Sequence, residues 1–311
     1  MTTEPFAPIA QDQLPTSADG VIVCDRLVRI YSGAGIEVQA LQGLDLLIAD
    51  GELTAVIGAA GSGKSTLMNI LAGLDTPTAG AVWVAGHDLG AMTAKERLSY
   101  RRSVIGFIWQ QTSRNLLPYM TARQNVLLPM RLSVLGRRER LRRAGLLLDT
   151  LGIAHCADRT PDRMSGGEQQ RAAIATALAN QPKVLLADEP TGELDSSTAQ
   201  DVFSALRTAN AELGATVLVV THDPAVSSQV RRTIAIRDGT TSSETIRHSA
   251  TDDQGATTLH VREYATLDRA GRVQLPREII RRLRMRNRVE LQEEPDHLGV
   301  WPDRRADQER E

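Results

Sequence analysis

Aromatic residues are scarce in this sequence, because Phe, Trp and Tyr together make up 3% of its 311 residues. An aliphatic core is therefore expected, since 41% of the residues are hydrophobic. No run of about 18 apolar residues occurs, and the N-terminal stretch lacks the charged and apolar segments of a secretion signal. These absences predict a chain that neither spans a membrane nor carries a standard export signal.

Cysteine and lysine are also rare. Cys24 and Cys156 are far apart and outside any CxxC or histidine-rich pattern, which argues against a disulfide framework or a zinc site and fits a reducing compartment. Lysine occurs only at Lys64, Lys95 and Lys183, so a lysine within a motif is informative. The formal net charge of −2 predicts no global field that would recruit nucleic acid or an anionic membrane. Such a partner would need a local patch.

Changes in composition and in hydrophobic periodicity divide the chain into segments. Strand-like runs that alternate with helix-like runs favour an α/β fold with a parallel, helix-covered sheet. The predicted segments are a flexible tail at 1–20, an α/β domain at 21–240 with a mostly helical insertion at about 93–165, a polar linker at 241–259, a small unit at 260–302 and a tail at 303–311.

A glycine-rich turn follows the strand-like run 54–57 and opens the helix-like run 65–71. It fits the phosphate-binding pattern GxxxxGK[ST], and the predicted nucleotide-binding residues are Gly58, Ala59, Ala60, Gly61, Ser62, Gly63, Lys64, Ser65 and Thr66. Small residues let backbone N–H groups wrap a polyphosphate, while Lys64 reaches the β- and γ-phosphate oxygens and Ser65 ligates magnesium. The alternative is an ordinary glycine-rich turn with an exposed lysine.

A second motif is the apolar run 184–187, which ends in the adjacent carboxylates Asp188 and Glu189. Adjacent like charges repel each other, and a bound Mg²⁺ would offset that repulsion. We expect Asp188 to hold the metal and Glu189 to polarise the attacking water as a general base. Acidic residues are common at strand ends, so this motif gains its meaning from its place after the phosphate-binding loop.

Between these motifs lies the sequence Met164-Ser165-Gly166-Gly167-Glu168-Gln169-Gln170-Arg171. With it, residues 21–240 resemble the ATP-binding subunits of ABC transporters, which implies a P-loop NTPase core with a RecA-like sheet and a helical insertion. The resemblance implies that Ser165, Gly166 and Gly167 face the γ-phosphate held by a second copy, from a helix start that favours anions. Locally, Ser165 and Glu168 also form the capping-box pattern S-x-x-E, and the two interpretations compete for the Ser165 hydroxyl.

Four further residues stand at positions that are functional in this family. Tyr31, before the apolar run 41–48, resembles the aromatic residue that stacks on adenine; the alternative is a packed core tyrosine. Gln110 resembles the Q-loop glutamine, which contacts Mg²⁺ and the surroundings of the reacting water. Asp195 resembles the D-loop aspartate at the subunit interface. His222 resembles the switch histidine that contacts the γ-phosphate, although a single histidine is usually structural.

The sequence departs from the family pattern at three positions. Ala60 stands where serine is common, Met164 replaces the usual leucine, and Glu168 stands where glutamine is common. None of these changes removes a required group, but Glu168 adds negative charge near the transition state, so an altered ATPase rate is expected. The stretches 110–118 and 187–195, together with VTHDP, resemble most the lipoprotein-release and macrolide-export branch.

The last unit has a different pattern. Residues 264–280 are predicted to form a strand, a turn at Ala270–Gly271, a second strand and a short helix begun at Pro276, with further strands at 288–291 and 299–301. This stretch is similar to AbrB-like swapped-hairpin domains, which are small, mostly β and dimeric, and many of which bind DNA.

Two roles are open for this unit. Between residues 262 and 288 nine arginines face three acidic residues, so one role is DNA contact through Arg262, Arg269, Arg272, Arg277 and Arg281. The other role, which we favour, is a dimer clasp for the ATPase, in which the arginines are solvated or paired with the acidic residues that follow.

Together the resemblances imply a Mg²⁺-dependent ATPase whose two copies sandwich two ATP molecules. The implied catalytic residues are Glu189, His222, Gln110 and Lys64, and the implied metal ligands are Ser65, Gln110 and Asp188. The implied partners are a second copy and a separately encoded membrane permease of export type, which would hold the chain at the cytoplasmic face of the cell membrane. The alternative is a non-transport ABC ATPase with a DNA-binding or regulatory C-terminal domain.

Overall fold

The computed structural model describes residues 20–33, 35–192, 194–223, 229–251, 257–267, 271–286 and 288–302. Within these ranges the strands are β1 (Gly20–Gly33), β2 (Ile36–Ala49), β3 (Leu53–Ile57), β4 (Ala79–Val84), β5 (His87–Asp88), β6 (Ile105–Ile108), β7 (Val184–Asp188), β8 (Thr216–Thr221), β9 (Arg232–Arg237), β10 (Thr240–Thr251), β11 (Thr257–Ala265), β12 (Val289–Glu293) and β13 (Leu298–Pro302). The α-helices are α1 (Lys64–Leu71), α2 (Ala94–Ser103), α3 (Ala122–Met130), α4 (Arg137–Thr150), α5 (Gly166–Ala177), α6 (Ser196–Leu213) and α7 (Arg277–Arg282).

The predicted tails lie outside these ranges except for Gly20, which begins β1. Arg269 and Ala270, which belong to the predicted C-terminal pattern, also lie outside the described residues. Across the described residues, every helix is too short or too polar to cross a membrane.

A seven-stranded sheet in the order β11-β10-β9-β3-β8-β7-β6 forms the centre of the fold. Its strands from β9 to β6 are parallel, as the alternating pattern predicts. β7 and β8 are buried along almost their whole length, and helices cover both of their faces, which explains their continuous apolar sequence. The predicted α/β class of residues 21–240 is confirmed.

Successive residues of the central strands point to opposite faces and so divide the core into two halves. Leu185 and Val217 belong to one half, which is filled by residues from α3 to α6. Leu186 and Leu218 belong to the other half, which contains α1 and the inner faces of a second, antiparallel sheet in the order β2-β1-β4-β5. The helix α1 is therefore clamped between two sheets.

The hairpin of β1 and β2 is longer than the sequence predicts. The sequence indicates strands at 21–23 and 44–48, whereas each strand spans 14 residues. In the additional part of the hairpin Tyr31 pairs with Val38, and both side chains are exposed. The β2 half of this part alternates apolar and polar residues over 36–40, a strand signal that the sequence analysis missed.

The helices α2, α3 and α4 lie within the predicted helical insertion at 93–165. Thr93 and Thr121 begin α2 and α3 with complete capping boxes. The same range contains β6, which pairs with β7 in the central sheet. The prediction is wrong at this strand, because four residues are too few to show a period, and the helical insertion begins after it.

The predicted linker at 241–259 is wrong wherever the structure describes it, because β10 and β11 continue the central sheet there. The polar side chains of β10 find partners inside the fold. Arg232 Nη2 donates to Glu244 Oε1 at 2.8 Å, and Arg232 Nη1 donates to Glu52 Oε1 at 3.3 Å. An antiparallel strand near a sheet edge needs few apolar residues when its polar groups are satisfied in this way.

The C-terminal unit starts inside this sheet, since its predicted first strand is the end of β11, where Ala265 pairs with Ser243. Further along, Leu267 forms an isolated bridge with Val273, and α7 begins directly after Pro276 as predicted. β12 and β13 then form a separate antiparallel pair at the predicted places. The described part of the unit is therefore mostly β.

The turn between β9 and β10 touches both the predicted phosphate-binding loop and the C-terminal unit. Gly239 N donates to Ser62 O at 3.2 Å, while Arg237 Nη1 donates to Leu275 O at 3.1 Å. Gly239 has φ +75°, and a Cβ atom there would lie 2.8 Å from Ala40 O, so only glycine suits this position.

Candidate active site

The predicted phosphate-binding loop connects β3 to α1 and requires its glycines. Gly63 has φ +99°, and a Cβ atom there would lie 2.5 Å from Ala40 O in β2. A Cβ atom at Gly58 would meet Ile236 O in β9. The loop is therefore fixed by two strands at the start of α1, where free N–H groups favour an anion. Of the other predicted loop residues, Ala59, Ala60 and Gly61 are exposed, and Thr66 is half-buried in the first turn of α1.

Lys64 curls back over this loop. Its Nζ donates to Gly58 O at 2.7 Å and to Ala59 O at 2.9 Å, and the residue is 9% exposed. The Ser62 hydroxyl oxygen is buried and has no hydrogen-bond partner among the described residues. A buried ammonium group and an unpartnered hydroxyl beside a helix start fit a polyphosphate. Ser65 is exposed next to them and offers Mg²⁺ the hard oxygen ligand that it prefers.

The second motif lies at the same edge of the sheet. Asp188, the last residue of β7, pairs with Val220, and Ile57, the last residue of β3, pairs with Thr221. The carboxyl ends of β3, β8 and β7 therefore lie side by side. Ligands of open α/β sheets bind at this edge.

The surroundings of Asp188 suit a metal ligand. Burial raises the pKa of Asp188, and the neighbouring Glu189 carboxylate raises it further, whereas Lys64 and Arg114 lower it. The charged form is thus disfavoured until a further positive charge is present. A divalent cation supplies such a charge, and carboxylate and hydroxyl oxygens are suitable ligands for Mg²⁺.

Glu189 and His222 are in direct contact. Glu189 has φ +48°, which is unusual for a residue other than glycine, and its N–H donates to Val220 O at 2.9 Å. Its side chain is 15% exposed, and both carboxylate oxygens lie 2.8 Å from His222 Nδ1. The His222 side chain is 69% exposed. The structure thus brings together two of the predicted catalytic residues.

Gln110 follows β6 and lies near the turn after Glu189. A Cβ atom at Gly192 would lie 3.5 Å from Gln110 Nε2 and 3.5 Å from Glu189 O. The amide of Gln110 is therefore close to the backbone that carries the predicted general base. This position agrees with the predicted Q-loop role.

Two residues that the sequence analysis missed hold this Q-loop. Asn115 Oδ1 accepts from Trp109 N at 2.9 Å, and Asn115 Nδ2 donates to Phe107 O at 2.8 Å. The Arg114 guanidinium lies 3.7 Å from the centroid of the Trp109 ring and lowers the pKa of Asp188. An asparagine and an arginine in a loop give no signal in one sequence, because their partners become known only from the fold.

Ser165 caps the N-terminus of α5 and forms a capping box with Glu168. Glu168 N donates to Ser165 Oγ at 3.3 Å, and Ser165 N donates to Glu168 Oε2 at 2.7 Å. The other carboxylate oxygen, Oε1, lies 2.7 Å from His155 Nε2. The bond from Ser165 N and then the bond with His155 lower the pKa of Glu168 to about 2. The capping interpretation is confirmed, and the contact of Ser165 with a nucleotide stays a prediction.

The other signature residues face the start of α6. Gly166 and Gly167 form the first turn of α5, and a Cβ atom at Gly167 would lie 2.6 Å from Thr198 Cγ2. Asp195 caps α6, since its Oδ1 accepts from Ser197 N at 3.1 Å and from Thr198 N at 3.0 Å. Bonds from the Ser197 and Thr198 groups hold the pKa of Asp195 well below its usual range. The signature residues and the phosphate-binding loop therefore contact different elements of this chain.

Tyr31 lies beside the phosphate-binding loop and is 38% exposed, so the core-tyrosine alternative is wrong. It pairs with Val38, which is two residues, or about 7 Å along the strand, from Ala40. Ala40 O is the atom that a Cβ atom at Gly63 would meet. The ring therefore stands within reach of a base whose phosphates lie on the loop. Its hydroxyl donates to Asp75 Oδ2 at 2.7 Å.

This geometry agrees with comparisons to known proteins. The family model described as ABC transporter matches residues 41–192. The macrolide export ATP-binding/permease protein MacB of Shigella flexneri is 46% identical over 211 residues, which are 68% of this chain and 32% of that protein. MacB of Syntrophobacter fumaroxidans is 43% identical over 213 residues, 68% of this chain and 30% of that protein. The chain thus spans about a third of the length of these relatives.

This chain covers a larger share of the solved structures that it resembles than of the MacB proteins. The ATP-binding cassette MJ0796, in a dimeric post-hydrolysis state bound to ADP and Pi, is 38% identical with a TM-score of 0.63, over 71% of this chain and 96% of that chain. The chain cbiO1 from Clostridium perfringens, part of the ABC transporter complex cbiONQ, is 28% identical with a TM-score of 0.66, over 72% of this chain and 87% of that chain.

The fold and the comparisons define an ATP-binding cassette, and the chain belongs to the ABC transporter family. Its matched part is the ATP-binding cassette of this family, an ATP-hydrolysing module that uses Mg²⁺. The predicted family, enzyme class and cofactors are confirmed. The AbrB-like resemblance of residues 260–302 stays a prediction.

Proposed function

We propose that two copies of this chain enclose two ATP molecules, each between the phosphate-binding loop of one copy and the signature residues of the other. The observation that carries this proposal is that the two halves of the site contact different elements within one chain. Lys64 contacts its own loop, whereas Gly167 packs against α6. A second copy related by two-fold symmetry would bring Ser165 to the phosphate on Lys64.

In this site each residue at the carboxyl edge of the central sheet has a separate role. Lys64 exchanges its two loop carbonyls for β- and γ-phosphate oxygens, and Glu189 accepts a proton from the attacking water. Ser65, Asp188 and Gln110 would hold Mg²⁺, which neutralises phosphate charge when it is bound. His222 holds the Glu189 carboxylate through Nδ1, and its exposed ring is free to reach the γ-phosphate. Tyr31 stacks on adenine, and Asp195 lies at the interface of the copies.

The proposal is tested with Glu189→Gln. Turnover should fall by roughly 10²- to 10⁴-fold, because an amide cannot accept the proton, while ATP binding persists. The variant should therefore accumulate as a dimer with ATP, visible by analytical ultracentrifugation. Glu139→Gln is the matched control, since Glu139 is an exposed carboxylate paired with Arg142 at 2.6 Å on α4. Turnover of Glu189→Gln near that of Glu139→Gln would refute the role.

We propose that an export-type membrane permease is the further partner, which would place the chain at the cytoplasmic face of the membrane. Support comes from the relatives named as ATP-binding/permease proteins. Support also comes from three exposed apolar side chains on the helical insertion, Tyr119, Leu132 and Val134. Val134 is fully exposed, and such a patch is typical of an interaction site.

This partner can be identified by purifying Glu189→Gln with ATP from native membranes and analysing the co-purified proteins by mass spectrometry. A stoichiometric multi-span protein supports the proposal. Adding Val134→Asp should release it without loss of ATP binding, whereas Leu98→Asp, at an exposed leucine of α2, should retain it. Recovery of DNA without a membrane protein would favour the non-transport alternative.

For residues 260–302 we propose the AbrB-like dimer clasp rather than DNA binding. A two-stranded sheet is marginal by itself, and β12 and β13 expose Leu291, Leu298 and Trp301. The acidic Glu290 and Glu293 of β12 complement the arginines at 262–288 in a second copy. Sedimentation without ATP should show dimers that Trp301→Lys dissociates. A DNA mobility shift that weakens steeply with salt would contradict the clasp.

A further inference from the structure

A cluster of three side chains lies on β1 and in the segment after α1. Tyr31 OH donates to Asp75 Oδ2 at 2.7 Å, and Arg29 Nε donates to the same oxygen at 2.9 Å. Arg29 Nη2 lies 2.9 Å from Asp75 Oδ1, so the ion pair is bidentate. Arg29 and Tyr31 are two residues apart on a strand and share a face, and the guanidinium carbon lies 4.4 Å from the ring centroid.

Asp75 is held independently of the ring. Asp75 N donates to Asn69 O at 3.1 Å, at the end of the helix that begins in the phosphate-binding loop. Thr76 N donates to Asp75 Oδ1 at 2.7 Å. Burial raises the pKa of Asp75, but the bonds from Tyr31, Thr76 and Arg29 outweigh this, and the pKa is lowered. The carboxylate thus stays ionised and accepts from the tyrosine hydroxyl at neutral pH.

The segment that carries Asp75 is also fixed to β1. Thr78 N donates to Val28 O at 2.8 Å, and Ile30 N donates to Thr78 Oγ1 at 3.0 Å. The segment that carries Asp75 is therefore hydrogen-bonded to β1, the strand that carries Tyr31. Both partners of the Arg29 ion pair are about four-fifths buried, with 22% and 19% of their side chains exposed.

We infer that Asp75 is a positioning residue for recognition of the nucleobase. It fixes the Tyr31 ring through the hydroxyl, and Arg29 occupies one ring face, so that the opposite face is offered to the base. The inference rests on the proposed stacking of Tyr31 on adenine. A ring that is already held in place loses less freedom when the base binds, which strengthens binding without a new contact.

The inference predicts an effect that depends on the base. Asp75→Asn should raise the Kd for ATP by about 3- to 10-fold, since the ring becomes mobile before binding. The Kd for inorganic triphosphate, which carries no base, should stay unchanged, and so should kcat at saturating ATP. Both Kd values are measurable by titration calorimetry on the full chain.

Tyr31→Phe provides the second arm, because it removes the hydroxyl and keeps the ring. This variant should match Asp75→Asn, and the double variant should be no worse than either single one. Asp158→Asn is the control, since Asp158 forms an Asp–Arg ion pair with Arg123 at 3.1 Å in the helical insertion. It should leave both Kd values unchanged.

The contrary results are separable. Equal losses for ATP and triphosphate in Asp75→Asn would show a general effect on α1 and overturn the inference. A loss in Tyr31→Ala without any loss in Asp75→Asn or Tyr31→Phe would overturn the inference and leave the stacking proposal intact. No loss in Tyr31→Ala would refute the stacking proposal and the inference with it.

Discussion

His222 Nδ1 lies 2.8 Å from both carboxylate oxygens of Glu189, although the two residues belong to different strand ends. The contact follows from the register of β7 and β8, which places Asp188 beside Val220, one residue before Glu189 and two before His222. The orientation of Glu189, the proposed general base, is therefore already set in the single chain.

His222→Ala should lower kcat by about 10²-fold or more, because the Glu189 carboxylate loses its orienting bond, and it should weaken ATP binding much less than it lowers kcat. Phosphate release at saturating ATP measures the first quantity and titration calorimetry the second. His297→Ala is a matched control, since His297 is an exposed histidine whose Nδ1 lies 2.7 Å from Asp296. Comparable kcat values for the two variants would contradict the role of His222.

Gly63→Ala should abolish measurable ATP binding and destabilise the fold by about 1 to 3 kcal/mol, because it combines a positive φ with a Cβ atom 2.5 Å from Ala40 O. Gly145→Ala in α4 should instead stabilise the fold by about 0.5 to 1 kcal/mol, since nothing lies within 4 Å of the added atom. Urea unfolding of both variants tests the contrast. Equal changes in the free energy of unfolding would show that neither the space around the added Cβ atom nor the backbone φ determines the cost of alanine at these positions.

Glu168 should make stability depend on pH. Its folded-state pKa of about 2 lies below the ordinary 4.5, so its contribution is present above pH 4.5 and is lost as the pH falls through 2. Glu168→Gln should therefore cost about 1 kcal/mol at pH 7 and progressively less below pH 4.5. Urea midpoints between pH 3 and pH 7 measure this difference. Glu212→Gln, at an exposed residue of α6, should show no such trend.

Arg232→Ala should destabilise the fold by about 3 kcal/mol, because it leaves Glu52 and Glu244 without their shared buried partner. The side chain of Arg232 is 10% exposed. Arg142→Ala should cost less than about 1 kcal/mol, since its pair with Glu139 is solvated. Thermal unfolding compares the stability of the two variants. A small loss of stability in Arg232→Ala would mean that the Arg232–Glu244 ion pair does not hold β10.

The sequence predicts those parts of the fold in which local pattern and burial agree. β3, β7 and β8 are apolar runs because both of their faces are covered, and they were predicted within a few residues. β6 and β10 were missed for different reasons. β6 is too short to show a period, and β10 is polar because its Glu244 is neutralised by Arg232, a partner on the neighbouring strand.

For the candidate site, sequence reasoning finds the residues whose identity is dictated by one local motif, such as Lys64 and Glu189. It does not find the residues that act through tertiary contacts. Asp75 meets Tyr31 across a separation of 44 residues, and Asn115 has an ordinary loop composition around it. Their partners become known only when the strands have been placed side by side.

The turn at Asp238–Gly239 sets a lower limit on the piece of this chain that can hold a nucleotide. A truncation at the end of β9 removes the Gly239 N–H group, which donates to Ser62 O. The phosphate-binding loop then loses one of its hydrogen bonds. A truncation after the turn leaves that hydrogen bond in place but removes Leu275 from the Arg237 guanidinium. We therefore expect the smallest autonomous nucleotide-binding fragment to include this turn, whether or not it needs the later strands.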